Sequence, residues 1–356
     1  MKYRSCWMIE NFQLNFNGRI DTGGKCLTLC CTESIAGVPG VPFHDTARET
    51  VGALRRERAE CVAESMKQSI SSAPDIPPLP AKGRCAGCAN FGLGDWNGGD
   101  GLIHYVNLSM YPAPCQCKCV YCSLRDDNEL RVFKKRLHAR YYEKLFDTLD
   151  YAKNEKLIAP DARWQVSSGE ISIHPYRERI FDLVKDQAVD FYTNCFRFDE
   201  RIAEILAKNP RSRINLSIDA GTPDTWREVK GVDNFDAVTD NLVKYYARSA
   251  GPGQITLKYI VLPGVNANLD DYLSVIEIMK VLQVKHLTIS RDTATKYALD
   301  AERRDDLIGA AAYLAAMLTK NGLAFDLYPA YTPDEREKIA ALGGNCCNRG
   351  QCDRGR

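Results

Sequence analysis

Three cysteines in one short segment, Cys115, Cys119 and Cys122, have a spacing suited to metal chemistry. They follow the pattern Cys-x3-Cys-x2-Cys, and the aromatic Tyr121 stands directly before the last of them. Iron–sulfur clusters are usually held by four cysteine thiolates. Three thiolates on one loop can hold three irons of a 4Fe–4S cluster, so that one iron remains open to a small molecule. A structural zinc loop is the alternative, but zinc loops usually consist of two paired arms.

Cys117 lies inside the same segment and is not part of the triplet. We interpret it as a bystander. A fourth ligand of a resting state and a catalytic thiol are the alternatives.

The segment from Cys115 to Cys122 resembles the signature of the radical S-adenosylmethionine (radical SAM) superfamily. The resemblance implies that the open iron chelates the methionine part of S-adenosylmethionine (SAM). The reduced cluster then cleaves SAM to a 5′-deoxyadenosyl radical, which abstracts hydrogen from a substrate. It further implies that Tyr121 packs near the adenine, and that an external one-electron reductant such as flavodoxin or ferredoxin supplies the electron.

The composition is that of an ordinary globular protein, except for its cysteines. The chain has 356 residues, 45% of them hydrophobic and 26% charged, with a net charge of +1. This length suffices for one large domain with an appendage, and the charge gives no reason to expect a nucleic-acid partner. No run of 18 apolar residues predicts a membrane span. Fifteen cysteines without a secretory signal indicate metal or redox chemistry in a reducing compartment, so we expect a cytoplasmic protein.

From about residue 101 the apolar pattern alternates between strands and helices. Six strands are expected, at 102–109, 163–167, 188–193, 213–218, 254–262 and 286–290. This alternation predicts an α/β fold with a parallel sheet, and it resembles the open, partial (β/α)6 TIM-type barrel of radical SAM enzymes. Because the cysteine segment follows the first strand, the cluster is expected at the C-terminal ends of the strands, where barrel folds carry their chemistry.

Residues 1–100 contain a second group of cysteines. Residues 7–16 alternate like a strand, Asn17-Gly18 is a hairpin turn signal, and a helix is expected at about 45–70. A Ser/Pro-rich linker at 71–80 precedes the pair Cys85 and Cys88. We therefore divide the chain into a cysteine-rich N-terminal module over 1–100, a partial barrel over 101–330, and a C-terminal helix with a cysteine-rich tail over 331–356.

The N-terminal cysteine pattern resembles the SPASM/twitch auxiliary-cluster modules of radical SAM enzymes, although such a module usually follows the barrel. The resemblance implies a second cluster, expected to be 4Fe–4S. Its implied ligands are Cys6, Cys30 or Cys31 (with Cys26 as a third choice), Cys85 and Cys88. Zinc held by the same residues is the alternative. Cys61 lies within the expected helix and is interpreted as a packing residue.

Two strand ends carry further motifs of the superfamily. Ser168, Gly169 and Glu170 resemble its Gly-Gly-Glu element, which implies that they receive the SAM amino group by charge-assisted hydrogen bonds. An ordinary strand-to-helix turn is the alternative. Asn194 and Cys195 stand where relatives often have Asn-Gly, facing the site. A thiol at Cys195 could return hydrogen to a substrate radical, whereas a buried cysteine is more often a small hydrophobe.

The remaining candidates lie on the last three barrel strands. Ser217 and Asp219 resemble the strand that contacts the SAM ribose and carboxylate, with Asp219 touching SAM or substrate; Ser290 is implied to contact adenine or substrate. Adjacent strand residues point to opposite faces, so only one of Lys258 and Tyr259 faces the interior. We favour Lys258, which would meet the SAM carboxylate or an anionic substrate.

The sequence is therefore interpreted as that of a radical SAM enzyme. A second cluster would accept an electron during substrate oxidation, or it would orient the substrate. The favoured substrate is a small molecule, namely a sugar, cyclitol or nucleotide-sugar. The alternatives are peptide modification, epimerisation with Cys195 as hydrogen donor, and a non-catalytic zinc or iron–sulfur protein. No membrane partner is expected.

Overall fold

The computed structural model describes residues 2–16, 27–29, 40–70, 92–109, 114–122, 131–167, 169–292, 301–328 and 331–343. Several sequence predictions lie outside these ranges, namely the turn at Asn17-Gly18, the linker at 71–80, Ser168, Cys26, Cys30, Cys31, Cys85, Cys88, and the tail with Cys346, Cys347 and Cys352. The chain forms two compact units. Unit 1 comprises Met1–Ala113, Glu129–Ser168 and Gln187–Val189, and unit 2 comprises Pro114–Asn128, Gly169–Asp186 and Asp190–Arg356.

Unit 1 contains a mixed sheet and a separate two-stranded ribbon. In the sheet, β6 (Ile103–Ser109) pairs in parallel with both β2 (Gln13–Phe16) and β7 (Ile158–Ser167). Two short antiparallel strands, β3 (Leu27–Thr28) and β4 (Gly40–Val41), continue from β2, while β1 (Lys2–Ser5) and β5 (Gly92–Asp95) form the ribbon. Because β2 pairs with the first expected barrel strand, the predicted boundary at residue 100 does not separate two sheets.

The predicted strand over residues 7–16 is wrong in its first half. Trp7–Glu10 forms a short helix, α1, and only Gln13–Phe16 is a strand. The helical turn buries Ile9 beside Cys6 and Cys61, and it leaves Trp7 48% exposed. Burial of this small apolar cluster therefore favours a helix over the local alternation.

Two long helices of unit 1 are α2 (Ala47–Ile70) and α3 (Arg131–Asn154). The N-terminus of α2 is a capping box: Thr46 Oγ1 accepts from Glu49 N at 3.2 Å, and Glu49 Oε2 accepts from Thr46 N at 3.1 Å. Near its middle, the buried Arg58 donates to the carbonyl oxygens of Ile9, Glu10 and Gly98 at 2.8, 2.9 and 2.6 Å. Arg58 thus fastens segments that are distant in sequence.

Unit 2 contains a sheet of parallel strands in the order β12-β11-β10-β9-β8. Its strands are β8 (Ala188–Tyr192, of which the last three residues belong to this unit), β9 (Arg213–Ser217), β10 (Ile255–Val261), β11 (His286–Arg291) and β12 (Ala324–Leu327). Its helices are α4 (Arg177–Val184), α5 (Glu200–Lys208), α6 (Pro223–Lys230), α7 (Phe235–Arg248), α8 (Leu269–Val281), α9 (Ala301–Lys320) and α10 (Pro333–Gly343). Side-chain oxygens of Asp199, Thr222 and Asn268 cap α5, α6 and α8.

The strands of unit 2 bury one face more completely than the other. In β9, Ile214 and Leu216 are fully buried, while Arg213, Asn215 and Ser217 on the opposite face are only partly buried. Parallel strands are normally apolar on both faces because helices cover both. The face that carries Arg213, Asn215 and Ser217 is polar and partly open, so it is available to ligands. We call it the inner face of the sheet.

The predicted α/β fold of the partial TIM-barrel type, with helices alternating with parallel strands, is confirmed. β7 begins at Ile158, five residues before the predicted start. Pro160 and Asp161 disfavour a strand, so the sequence pattern predicts a later start. The strand accommodates them because the pairing of β7 with β6 shifts its register between Ile103 and Tyr105. No helix in the described ranges is both long and apolar enough to cross a bilayer.

We expect Arg58→Met to lower the free energy of unfolding by about 2–4 kcal/mol, because three carbonyl oxygens lose a charged donor. Urea denaturation followed by circular dichroism measures this change. Arg55→Met, on an exposed position one turn earlier in α2, is the matched control and should leave stability unchanged. Equal effects of the two substitutions would show that the three bonds do not stabilise unit 1.

Candidate metal centre and cofactor site

The segment with the three cysteines is fastened by its backbone to the end of α6. Lys118 N donates to Lys230 O at 2.7 Å, and Val120 N donates to Val229 O at 3.0 Å. Gly231 ends the helix with a φ of +68°, and a Cβ atom there would lie 2.9 Å from the Lys118 Cβ atom. Glycine is therefore required both by the left-handed turn and by the close approach of the segment.

The sulfur atoms of this segment interact with one another. Cys115 is exposed, and Cys117, Cys119 and Cys122 are partly buried. A hydrogen bond from the Cys117 thiol lowers the pKa of Cys115, and the same donor, followed by the nearby Lys230 ammonium, lowers the pKa of Cys119 to about 6. The same bonds raise the pKa of Cys117. The thiolate is the form that binds metal, so a lowered pKa at Cys115 and Cys119 is in keeping with their predicted role as ligands.

The donor set fits an iron–sulfur cluster. Within the described ranges, no three Cys, His, Asp or Glu side chains converge closely enough to bind one metal ion. Each thiolate of a four-iron cluster binds a different iron, and cysteine thiolates are the donors that such clusters use. Asn194 Nδ2 lies 3.5 Å from Cys115 Sγ and 3.1 Å from Gln116 Oε1, so an amide donor faces the sulfur. Hydrogen bonds to cysteine sulfurs are one of the features that set cluster potentials.

A buried ion pair lies behind the segment. Lys230 Nζ contacts Asp219 Oδ2 at 2.5 Å, Tyr121 OH at 2.7 Å and Ser217 O at 2.7 Å, and its residue is only 4% exposed. The Tyr121 hydroxyl also donates to Asp219 Oδ2, and burial followed by Asp219 raises the pKa of Tyr121. Burial alone would lower the pKa of Lys230, but Asp219 and Cys119 raise it. The ammonium ion is therefore held charged beside the segment.

The predicted contact of Asp219 with SAM or substrate stays a prediction, and in the structure its carboxylate binds other residues of the chain. Its residue is fully buried, its Oδ2 atom is bound to Lys230 and Tyr121, and its Oδ1 atom accepts from Ile260 N at 2.6 Å. Its backbone has a φ of +49°, and Asn266 Nδ2 donates to its carbonyl at 2.8 Å. These contacts make Asp219 a positioning residue for the loop after β9.

Sequence reasoning missed Lys230 altogether. A lysine in the last turn of a helix is ordinarily read as an exposed cation that complements the helix dipole. The available signal was weak: Lys230 follows Val229 directly and precedes the helix-ending Gly231. Only the fold shows that this lysine points inward.

The predicted SAM-binding residues Gly169 and Glu170 lie beside the cysteine segment. Gly169 has a φ of +84°, a left-handed conformation that glycine favours. Glu170 N donates to Pro114 O at 3.0 Å, and its carboxylate accepts from Ser172 N, Thr193 Oγ1 and Asn194 N at 2.7–3.0 Å. Burial raises the pKa of Glu170, although these hydrogen bonds oppose the rise. Glu170 thus joins the cysteine segment to the end of β8, and its contact with SAM stays a prediction.

Cys195 is fully buried and has a φ of +54°, a left-handed conformation that glycine adopts more readily than other residues. Asn241 Nδ2 donates to its carbonyl at 2.9 Å. Burial raises the pKa of the thiol. The structure places Cys195 in the core, as in the packing alternative, and its catalytic role stays a prediction.

Ser217 and Lys258 line a cavity on the inner face of unit 2, whereas Tyr259 lies on the opposite face against Tyr272 of α8. Ser290 is fully buried, and its carbonyl accepts from Tyr331 OH at 3.2 Å. The inward direction chosen for Lys258 therefore agrees with the structure.

Cys6, the described member of the predicted second site, is buried with Ile9 and Cys61. The other predicted ligands, Cys30, Cys31, Cys85 and Cys88, lie outside the described ranges. The second cluster and the auxiliary module stay predictions.

The comparisons with known proteins agree with the cysteine spacing. Residues 114–276 match the family model of the Radical SAM superfamily. This part of the chain is a radical SAM domain, so the predicted resemblance is confirmed. Members of the superfamily are enzymes, and the domain implies a 4Fe–4S cluster and SAM.

Among curated proteins, a GTP 3′,8-cyclase of Microcystis aeruginosa (strain NIES-843 / IAM M-2473) is 25% identical over 196 residues. The match covers 52% of this chain and 56% of the cyclase, so the chain spans about half of that relative's length.

Similar solved structures include SuiB from Streptococcus suis bound to precursor peptide SuiA, with 12% identity and a TM-score of 0.46, covering 85% of this chain and 58% of SuiB. The FeFe-hydrogenase maturase HydG from Carboxydothermus hydrogenoformans has 17% identity and a TM-score of 0.42, covering 67% of this chain and 57% of HydG.

We expect Lys230→Met to lower the free energy of unfolding by about 3–5 kcal/mol, because it leaves the Asp219 carboxylate buried and unpaired. Iron bound after anaerobic reconstitution should fall as well, since Tyr121 and the cysteine segment lose their support. The double variant Lys230→Met/Asp219→Asn should regain part of the stability because no charge is left unpaired.

Arg227→Met is the matched control, because Arg227 is exposed one turn earlier in α6 and, within the described part of the chain, its ion pairs are those with Asp224 and Asp233. Arg227→Met should change neither the free energy of unfolding nor the amount of iron bound. If Lys230→Met also left stability and iron content at wild-type values, the ion pair would not position the segment.

Proposed function

We propose that this protein is a radical SAM enzyme that cleaves SAM reductively and abstracts a hydrogen atom from a small-molecule substrate. The observation that carries the proposal is the cysteine segment of the radical SAM domain, in which Cys115, Cys119 and Cys122 follow the Cys-x3-Cys-x2-Cys pattern and the backbone is fixed to α6. When bound, the cluster supplies the electron that cleaves SAM into methionine and a 5′-deoxyadenosyl radical.

The residues of the chain would hold and orient the bound groups. Cys115, Cys119 and Cys122 would hold the cluster, and Asn194 would donate to the Cys115 sulfur. The Tyr121 side chain cannot rotate freely, because its hydroxyl is hydrogen-bonded to Asp219 and Lys230. Its ring would therefore present a fixed face to the adenine of SAM. Glu170 and the peptide groups around Gly169 would receive the SAM ammonium group.

For the substrate, we keep the sugar, cyclitol or nucleotide-sugar class as the proposal. The polar inner face of unit 2, with hydroxyl, amide and charged side chains, supports a polar ligand. The GTP 3′,8-cyclase shows that a relative of this chain acts on a nucleotide, but its 25% identity does not transfer that substrate. An external one-electron reductant such as flavodoxin or ferredoxin is also proposed, as is a cytoplasmic setting.

The reaction type within this class is oxidation or rearrangement. Hydrogen abstraction converts the radical to 5′-deoxyadenosine and leaves a substrate radical. Net dehydrogenation then requires that the substrate radical lose one electron and one proton. A second cluster with Cys6 among its ligands is proposed as the electron acceptor.

The direct test is the formation of 5′-deoxyadenosine from SAM by anaerobically reconstituted, dithionite-reduced protein. We expect the wild type to form it and Cys119→Ala to form none, because the cluster loses a ligand. Cys117→Ala is the matched control from the same segment and should retain the activity. Loss of activity in Cys117→Ala alone, or activity in Cys119→Ala, would contradict the assignment of ligands.

Iron analysis tests the second cluster separately. Wild type should bind about eight irons, and a Cys115→Ala/Cys119→Ala/Cys122→Ala variant about four. If the triple variant binds no iron, the second cluster and its role as electron acceptor are excluded, while the SAM-cleaving site is unaffected.

A further inference from the structure

A cavity of about 570 Å³ lies on the inner face of the sheet in unit 2. This volume lies within the range of small-molecule sites. Its lining extends from Ser217, at the end of β9, to Pro252, Gly253 and Gln283, which precede β10 and β11. The cavity therefore extends along the inner face to the N-terminal ends of β10 and β11, away from the strand ends that adjoin the cysteine segment.

The lining is charged and has an excess of cations. Its permanently charged groups are the cations Arg213, Lys258 and Lys285 and the carboxylates Asp190 and Asp326. Asp190 and Arg213 are paired positions of β8 and β9, so opposite charges face each other there. Asp326 Oδ1 lies 3.8 Å from His286 Nε2. These local pairs leave Lys258 and Lys285 over, and of the two Lys258 is partly buried within β10 whereas Lys285 is exposed just before β11.

Lys258 has no hydrogen bond or ion pair with any of the described residues. Burial lowers the pKa of its ammonium group, the negative charges of Asp219 and Asp326 oppose that effect, and the positive charge of Lys230 adds to it. Asp219 is already bound to Lys230. A partly buried ammonium ion without a partner is unfavourable unless an anion arrives to bind it.

Hydroxyl groups flank Lys258 on both neighbouring strands. Lys258 is the paired position of Ser217 on β9 and of Thr288 on β11, and all three residues line the cavity. Neighbouring strands are about 4.8 Å apart, so the three side chains form a row of donors with the ammonium in the middle. A carboxylate or phosphate group accepts several such hydrogen bonds at once.

From this row we infer that the cavity binds an oxyanion of the substrate, a carboxylate or a phosphate group, with Lys258 as its principal partner and Thr288 as a second donor. The inference rests on the proposed function for the statement that the ligand is a substrate. It narrows the substrate class to molecules that carry such a group.

The test uses the reconstituted holoenzyme with SAM already bound, so that the carboxylate of SAM would block the site if it occupied Lys258. Isothermal titration calorimetry with inorganic phosphate, and separately with acetate, measures the binding of each oxyanion. We expect one saturable site for at least one of the two anions, and the preference between them distinguishes phosphate from carboxylate substrates.

Lys258→Met should weaken the binding of that anion by about tenfold or more, because a charge-assisted hydrogen bond is lost. Thr288→Val should weaken it by about two- to tenfold, and Lys258→Arg should retain most of it. The affinity for SAM should stay the same in all three variants. Lys280→Met, which removes an exposed lysine of α8 from the same unit, controls for the change in net charge.

Three results would overturn the inference. They are the absence of saturable anion binding in the wild type, a loss of SAM affinity in Lys258→Met, and an equal loss of anion binding in Lys280→Met. Failure of the proposed function gives a different result: a protein that binds the oxyanion through Lys258 but never forms 5′-deoxyadenosine.

Discussion

The buried ion pair between Lys230 and Asp219 is the interaction on which the rest of the site depends. It joins the last turn of α6 to the loop after β9, and Tyr121 of the cysteine segment shares its hydrogen bonds. Removing either charge would leave the other uncompensated in the interior, which is far more costly than losing both. The ion pair therefore holds three parts of the chain in one arrangement, namely the end of α6, the loop after β9 and the cysteine segment.

A second constraint comes from the two faces of the sheet in unit 2. The apolar face is covered by helices and supplies the core, whereas the inner face carries polar side chains at every second position. Glu170 and Asn194 connect the end of β8 to the cysteine segment, so the segment is held at the C-terminal ends of the strands. The cysteine segment and the polar cavity therefore belong to the same unit.

Much of this arrangement could be predicted from the sequence. The cysteine triplet identified the superfamily, and strand and helix periodicity located the βα units because their apolar faces are long and regular. Side-chain alternation along a strand allows only one of Lys258 and Tyr259 to point inward, and the prediction of Lys258 agrees with the structure. Local pattern failed at Trp7–Glu10, where burial of Ile9 beside Cys6 and Cys61 overrides the alternation.

Local pattern also overlooked Lys230 and its pairing with Asp219, because the partner of each lies in another element. Such pairs are set by tertiary packing, and no spacing within a single segment encodes them.

The central claim is that Cys115, Cys119 and Cys122 hold a cluster with one iron open to SAM. The most direct measurement is the electron paramagnetic resonance spectrum of the anaerobically reconstituted, reduced protein before and after addition of SAM. The account predicts that SAM changes the spectrum of one 4Fe–4S cluster, because SAM binds its open iron. A spectrum of a fully reconstituted cluster that stays the same at saturating SAM would contradict it.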